Sequence, residues 1–433
     1  MFNKLKGRFA EAKEKQERTV ISYEDMPLDD YEQERTEISP AAFKKIIFGV
    51  LGVLLLALIV FAFANRERLT WDNLHVWWNY EVMGTTGKGY PVNIVGTEVE
   101  AGNIAVYQGR VAYSSDTSFV SLNSSAGEVS NKQLRFTNPV MKSADNHFLI
   151  YGLGEKSYQL EDFDRSVYDG TAEGGILAGD IAPNGRYCIA VEGKGFFSEL
   201  YAFDAHNNRI YKYSFSEYYI SSVSINMSGT GCVACGVSNN NGEIKACAYV
   251  LDFTREAPLA KYEIEGDYVI DCKFISGSRA VLVGGTNAYL VRVDDERVDV
   301  VDYEEKTLTN YCFSPATGTF SLALSKSGDG RRCDLIIYND NGEKQVIAES
   351  SYGSESLSSY KGVIATLDNN TIYVFDSAHN QRYSCSAGAG AKRIILSSDR
   401  EAFVLSVTQI RRIDLTQDRT DLSAQASPDS AKG

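Results

Sequence analysis

Eight times between residues 119 and 414, a short apolar run stops at an acidic or amide residue in a turn. The runs are FVSLN at Asn123, YQLED at Asp162, YAFD at Asp204, YVLD at Asp252, VRVD at Asp294, IIYN at Asn339, YVFD at Asp376 and RRID at Asp414. Their spacings are 39, 42, 48, 42, 45, 37 and 38 residues. A mean near 42 belongs to four-stranded propeller blades of roughly 40–45 residues, not to ankyrin or tetratricopeptide units of about 33–34. About twenty residues before each run lies a turn followed by alternating apolar residues, as in APNGRYCIAV, NMSGTGCVAC and SSDREAFVLSV. Each unit therefore reads as an inner strand, a second strand, a third strand ending in Asp, and an outer strand. Asx residues suit the last turn because their side chains bond nearby backbone N–H groups.

Seven full units fit between about 96 and 391, and AKRIILSSDREAFVLSVTQIRRIDL supplies three strands of an eighth. PVNIVG (91–96) is placed to provide the fourth from the other end of the chain, closing the ring and removing edges that invite aggregation. The expected fold is all-β, a β-propeller over residues 91–417, with eight blades preferred and seven the alternative. The blades contain no Trp, so the WD40 signature is missing. Residues 418–433 are polar and read as a disordered tail.

Ahead of the repeat, Ile46–Ala64 (IIFGVLGVLLLALIVFAFA) carries no charge. Nineteen residues at about 1.5 Å rise give roughly 28 Å, enough for a hydrocarbon core of about 30 Å, so the segment reads as one transmembrane helix. Ala62-Phe63-Ala64 fits a signal-peptide cleavage site, but the run is longer than the usual 7–15 residues and 45 residues precede it. An uncleaved signal anchor is preferred. Flanking cations hardly decide orientation: Arg35, Lys44 and Lys45 on one side face Arg66 and Arg68 on the other. With no second span and a short tail, residues 1–45 are expected in the cytoplasm and the propeller outside the cell. Phe2, Leu5 and Phe9 among Lys4, Lys6, Arg8, Lys13 and Lys15 allow a short membrane-surface helix or a plain charged tail. Trp71, Trp77 and Trp78 fall just past the anchor, in a stretch (65–90) read as a juxtamembrane helix or stalk. The formal net charge is −14, and the tail holds 9 cations against 10 anions, so the acidity belongs to the outer domain. Such a chain repels nucleic-acid phosphates.

Motifs for chemistry are sparse. Cys232-Val233-Ala234-Cys235 lies on a second strand, where residues three apart point to opposite faces, and no second C-x-x-C completes a zinc set. Cys188 and Cys232 each follow a turn glycine, Gly185 and Gly229, by three residues, which reads as a core position. Outside the cell the eight Cys could instead form disulfides, Cys272 with Cys312 on neighbouring first strands being one such pair. His206 and His379 fall in surface turns. Asn339-Asp340-Asn341-Gly342 lacks the distal Glu of a calcium loop and reads as an Asx-Gly turn. No catalytic, cofactor-binding or metal-ligating residue is assigned, and no cofactor is expected.

The segments GYPVNIVG (89–96), NPVMKSADNHFLIYGLGEKSYQLEDFDR (138–165) and LAGDIAPNGRYCIAVEGKGFFSELYAFD (177–204), with the Asp252 and Asp376 turns, carry a resemblance. The chain resembles a family of uncharacterised single-span membrane proteins of Gram-positive (Firmicutes) bacteria, defined as a domain of unknown function with propeller-like repeats. That resemblance covers most of residues 66–415 and implies architecture, not a reaction. Likeness to quinone-cofactor propellers stops at the blade pattern. The expectation is a non-enzymatic binding or scaffold module at the cell surface, anchored in the lipid bilayer and meeting a protein partner on a propeller face. The alternatives are a sensor signalling through the tail, or an enzyme with carboxylates at the channel mouth.

Overall fold

The computed structural model describes Gly49, residues 51–57, Trp78, and residues 87–240, 243–293, 297–327 and 330–422. By contact it divides into Met1–Thr70 and Trp71–Gly433. In the first unit the described residues of 51–57 are helical and exposed. The cytoplasmic tail, the rest of the expected span and most of the stalk lie outside the described residues. Among those described, no helix is long and apolar enough to cross a membrane.

In the second unit, eight antiparallel sheets follow one another in sequence order. Each is one blade, and the inner strands run Ile104–Tyr107, Pro139–Ala144, Ile176–Ile181, Tyr219–Ile225, Val269–Phe274, Thr307–Ser314, Ser356–Tyr360 and Ala391–Leu396 in blades 1 to 8. The eighth blade is composite. Val92–Asn93 pairs with Gln409–Asp414, Val92 facing Ile410 and Asn93 facing Gln409. The join is locked by the Ile94 N–H on the Thr408 carbonyl (3.0 Å) and by Tyr90 edge-on to Phe403.

Burial explains the apolar runs. A blade has a neighbour on each face, so its second and third strands are buried on both sides and cannot alternate apolar with polar. Tyr187–Glu192 and Arg279–Gly284 show this: all but one residue of each strand is buried. Eight core clusters form, one in each gap between adjacent blades; the last joins Ile104, Val111 and Tyr113 of blade 1 to Phe403, Leu405 and Ile410 of blade 8. Burying each such side chain contributes roughly 1.5–3 kcal/mol.

The Asx turns form as expected. Asp204 Oδ1 accepts the N–H groups of His206 (2.9 Å) and Asn208 (2.8 Å), and Asn339 does the same for Asn341 and Glu343. His206 and His379 are exposed in these turns. Asp162 departs from the pattern, holding His147 Nδ1 and Arg165 through its carboxylate.

One expectation is corrected and one alternative is set aside. The tail expected to be loose from residue 418 adds a fifth strand to blade 7: Thr420–Asp421 pairs with Ser384 and Tyr383, Leu422 N–H reaches the Arg382 carbonyl, and Arg419 lies over the Tyr383 ring. The disulfide alternative, Cys272 with Cys312, is not formed. All eight Cys are free thiols, and these two face different gaps, Cys272 between blades 4 and 5 and Cys312 between blades 6 and 7. The Cys232/Cys235 pair splits as the strand period requires, Cys232 packing toward blade 3 and Cys235 toward blade 5.

Candidate functional site

Five inner strands carry a β-bulge at one position, between Ile176 and Ala178, Ile220 and Ser222, Val269 and Asp271, Leu308 and Asn310, and Ala391 and Arg393. Bulges re-aim side chains. By register the residues just past them form one layer around the axis: Ala178, Ser222, Asp271, Asn310 and Arg393. Two residues on, a second layer holds Asp180, Ser224, Lys273 and Cys312, with Lys142 of the unbulged blade 2 opposite Leu149 at the same depth.

Hydrogen bonding in these layers is uneven. Lys273 Nζ spans three inner strands to hold both oxygens of Asp180, at 2.8 and 3.0 Å. Asp180, 1% exposed, also accepts from Ser224 Oγ and the Ile225 N–H. Asp271 accepts from Ser222 Oγ (3.0 Å), its neighbour Cys272 N–H (2.9 Å) and Tyr311 Oη (3.3 Å). Lys142 and Arg393 are different: among the described residues neither side chain has a carboxylate within ion-pair distance or a hydrogen-bond partner, and Arg393 Nε is buried. Burial works against the Lys142 charge, yet Asp271 and Asp180 nearby hold its pKa above the usual lysine value. Burial, and then Asp271, pushes the Tyr311 hydroxyl up. Burial pulls Arg393 below its ordinary value, with Cys312 and Tyr311 beside it.

A cavity of about 260 Å³ opens above these layers. Lys142, Ser222, Asp271 and Tyr311 supply its polar wall, while Val140, Leu153, Leu177 and Ile270 supply the apolar one. It lies at the end where the chain enters each inner strand, here called the upper face, which also carries the turns between second and third strands. Around it Leu153, Phe196, Phe197, Tyr219, Tyr268 and Ile270 are exposed by 40–53%. Phe197 and Tyr219 meet edge to face at 4.8 Å. Blade 4 raises a hairpin beside them: Gly231–Asn240 and Glu243–Asp252 have 10 residues each, where second and third strands elsewhere have five to seven. The excess of about four residues at roughly 3.4 Å projects some 13 Å, and Ile244 near its tip is 65% exposed.

Sequence reading assigned no site residue and missed this constellation. Its signals were present: a charge inside each of the inner strands PVMKSA, ILAGDI, VIDCKF and AKRIIL, and a 48-residue spacing between Asp204 and Asp252 where the mean is near 42. Among the described residues, no group of three His, Cys, Asp or Glu is placed to hold a metal ion.

These features define an eight-bladed β-propeller with a charged channel under an apolar upper rim. The chain belongs to the family of unknown function DUF5711, whose model matches residues 85–415. Among solved structures it is similar to Saccharomyces cerevisiae Sqt1, with 8% identity, a TM-score of 0.50, and coverage of 74% of this chain and 99% of that one. A eukaryotic initiation factor matches with 11% identity, a TM-score of 0.50, and coverage of 78% and 90%. At such identities these likenesses show the fold alone. A search of curated proteins finds no match.

Proposed function

We propose that the protein is a membrane-anchored, extracytoplasmic propeller that binds a protein partner on its upper face and catalyses no reaction. The observation that carries the docking reading is the arc of six exposed, largely apolar side chains on blades 2 to 5 beside the channel mouth, next to a hairpin longer than any other among the described residues. Large apolar groups gathered on one face mark interaction sites, whereas scattered ones do not. Against an enzymatic role, Asp180 and Asp271 are each committed to two or more donors, so neither is an idle general base. Support for the anchor comes from the uncharged run Ile46–Ala64 and from the exposure of its described helical residues, Leu54, Leu55 and Leu56 among them.

A photo-crosslinking residue placed at Phe197 or Tyr268 of the full-length protein in its own cell should trap a discrete partner. The same residue at Val300 or Ile210, on outer strands, should not. Equal trapping at all four positions, or none at the upper pair, overturns the docking reading. Protection of an N-terminal tag, but not of the propeller, from added protease in intact cells tests the orientation.

A further inference from the structure

The channel contains three cations and two carboxylates. Lys273 is matched to Asp180, and Asp271 is occupied by Ser222, Cys272 N–H and Tyr311. The remaining donors, the Lys142 ammonium and the Arg393 guanidinium, lack partners among the described residues, in a chain whose overall charge is −14. The Asp271 charge offsets one of the two, so the channel keeps one cation in excess, and a half-buried cation in excess is costly unless an anion joins it. Lys142 lines the cavity directly. Arg393 starts from the same layer as Asp271 and sits beside Tyr311, which is itself on the cavity wall.

The cavity narrows the class of anion. At about 30 Å³ per water, 260 Å³ is room for about nine waters, more than a small inorganic anion fills. Its wall is divided, with polar groups toward the axis and Val140, Leu153, Leu177 and Ile270 toward the rim. An occupant with charge at one end and an apolar body at the other satisfies both halves. A guanidinium fork and an ammonium together match a carboxylate.

We propose that the upper mouth of the channel binds a small organic carboxylate, its carboxyl group held by Lys142 and Arg393 and its apolar body against Leu153, Leu177 and Ile270. This site shares Leu153 and Ile270 with the docking rim, but small-anion binding is measured without a protein partner, so its failure is distinguishable from failure of the docking reading.

The test uses benzoate as probe, its neutral isostere benzamide, and inorganic phosphate, titrated calorimetrically into the full-length protein at low salt. Benzoate should bind and raise the melting temperature, while benzamide and phosphate should bind at least tenfold more weakly. Lys142→Met and Arg393→Met should each weaken benzoate at least tenfold, and Lys142→Arg should retain it. Equal binding of benzamide overturns the proposal, because the cavity is then only apolar. Stronger phosphate binding, no benzoate binding at 10 mM (roughly ten times a weak 1 mM site), or unchanged affinity in both Met variants overturns it equally. Should a Met variant fail to fold, the benzoate–benzamide contrast in the parent and in Lys142→Arg still decides.

Discussion

Replacing Asp267 tests how the upper face is held together. Its carboxylate is 6% exposed and accepts from Tyr268 N–H at 2.8 Å, Gly285 N–H at 2.9 Å, Asn287 N–H at 3.1 Å and Tyr289 Oη at 3.0 Å, with Thr286 N–H at 3.2 Å. One side chain thus ties the connection entering blade 5 to the turn between its second and third strands, directly under Tyr268 and Ile270. Hydrogen bonds to a charged group contribute roughly 1.5–3 kcal/mol each. Water can replace the carboxylate at some of the turn amides, but Tyr289 is 8% exposed and poorly reached. Counting two bonds lost outright, Asp267→Ala should cost about 3–6 kcal/mol. Unfolding entropy of about 2.1 cal/mol/K per residue over roughly 330 residues converts that to a fall of about 4–9 °C in Tm. Asp267→Asn keeps one accepting oxygen and should lose about half as much.

The same residue carries a pH signature. Burial opposes its ionisation, but the amides of Tyr268 and Thr286 and the Tyr289 hydroxyl outweigh that and hold its carboxyl below the usual range. A lowered folded-state pKa gives stability that is complete above the unfolded value near 3.9 and disappears as pH falls through the folded value. The Tm gap between parent and Asp267→Asn should therefore be full at pH 7 and shrink below about pH 4. Calorimetric melts of the full chain across that range are the assay. A variant melting within about 1 °C of the parent at pH 7, or a gap indifferent to pH, refutes the reasoning.

Seven of the eight thiols are buried and the eighth, Cys312, is half-buried; burial raises Cys247 to about 12 and Cys385 to about 11. Ellman's reagent should accordingly find at most one reactive thiol in the native protein and eight after denaturation. Lys273→Ala leaves Asp180 buried without its cation and should cost about 2–4 kcal/mol by chemical denaturation. The double variant Asp180→Ala/Lys273→Ala should cost less than the two single losses combined. Deleting residues 1–96 removes the outer strand of blade 8 and should cause self-association, seen by sedimentation, through the uncovered edge of Gln409–Asp414. Deleting 419–433 removes, among the described residues, the exposed strand Thr420–Asp421, the Leu422 N–H bond and the Arg419–Tyr383 contact, and should cost under about 1 kcal/mol.

The blades were legible because each uses the same device, a doubly buried strand stopped by an Asx turn, and the device repeats every 42 residues or so. PVNIVG was legible as the missing strand because blade 8 was one strand short. Thr420–Asp421 was not, since its attachment to Tyr383 is by backbone pairing that leaves no pattern in a polar sequence. The channel was hidden for another reason. Lys142, Asp271 and Arg393 lie more than a hundred residues from one another, and only ring closure, with the bulges ahead of Asp271 and Arg393, turns them toward one axis. Cys272 and Cys312 both sit on first strands but one register position apart, Cys312 sharing the layer of Lys273, so the two face different gaps.

The composite eighth blade also sets an order of events. Val92 leaves the ribosome early, but its partner Ile410 is made only after roughly 320 further residues, so the clasp must close one of the longest loops in the chain. Loop-closure entropy for that length, near (3/2)RT ln n, is about 5 kcal/mol, and it is recovered only when every intervening blade has already shortened the path. Blades 1 to 7 can assemble progressively on local contacts, while the final pairing is an end-to-end event with high contact order. Throughout synthesis the growing arc exposes the apolar outer face of each of its two end blades, and a chain stalled before residue 409 cannot complete the cover of either. The closure step is therefore where quality control of this fold would act.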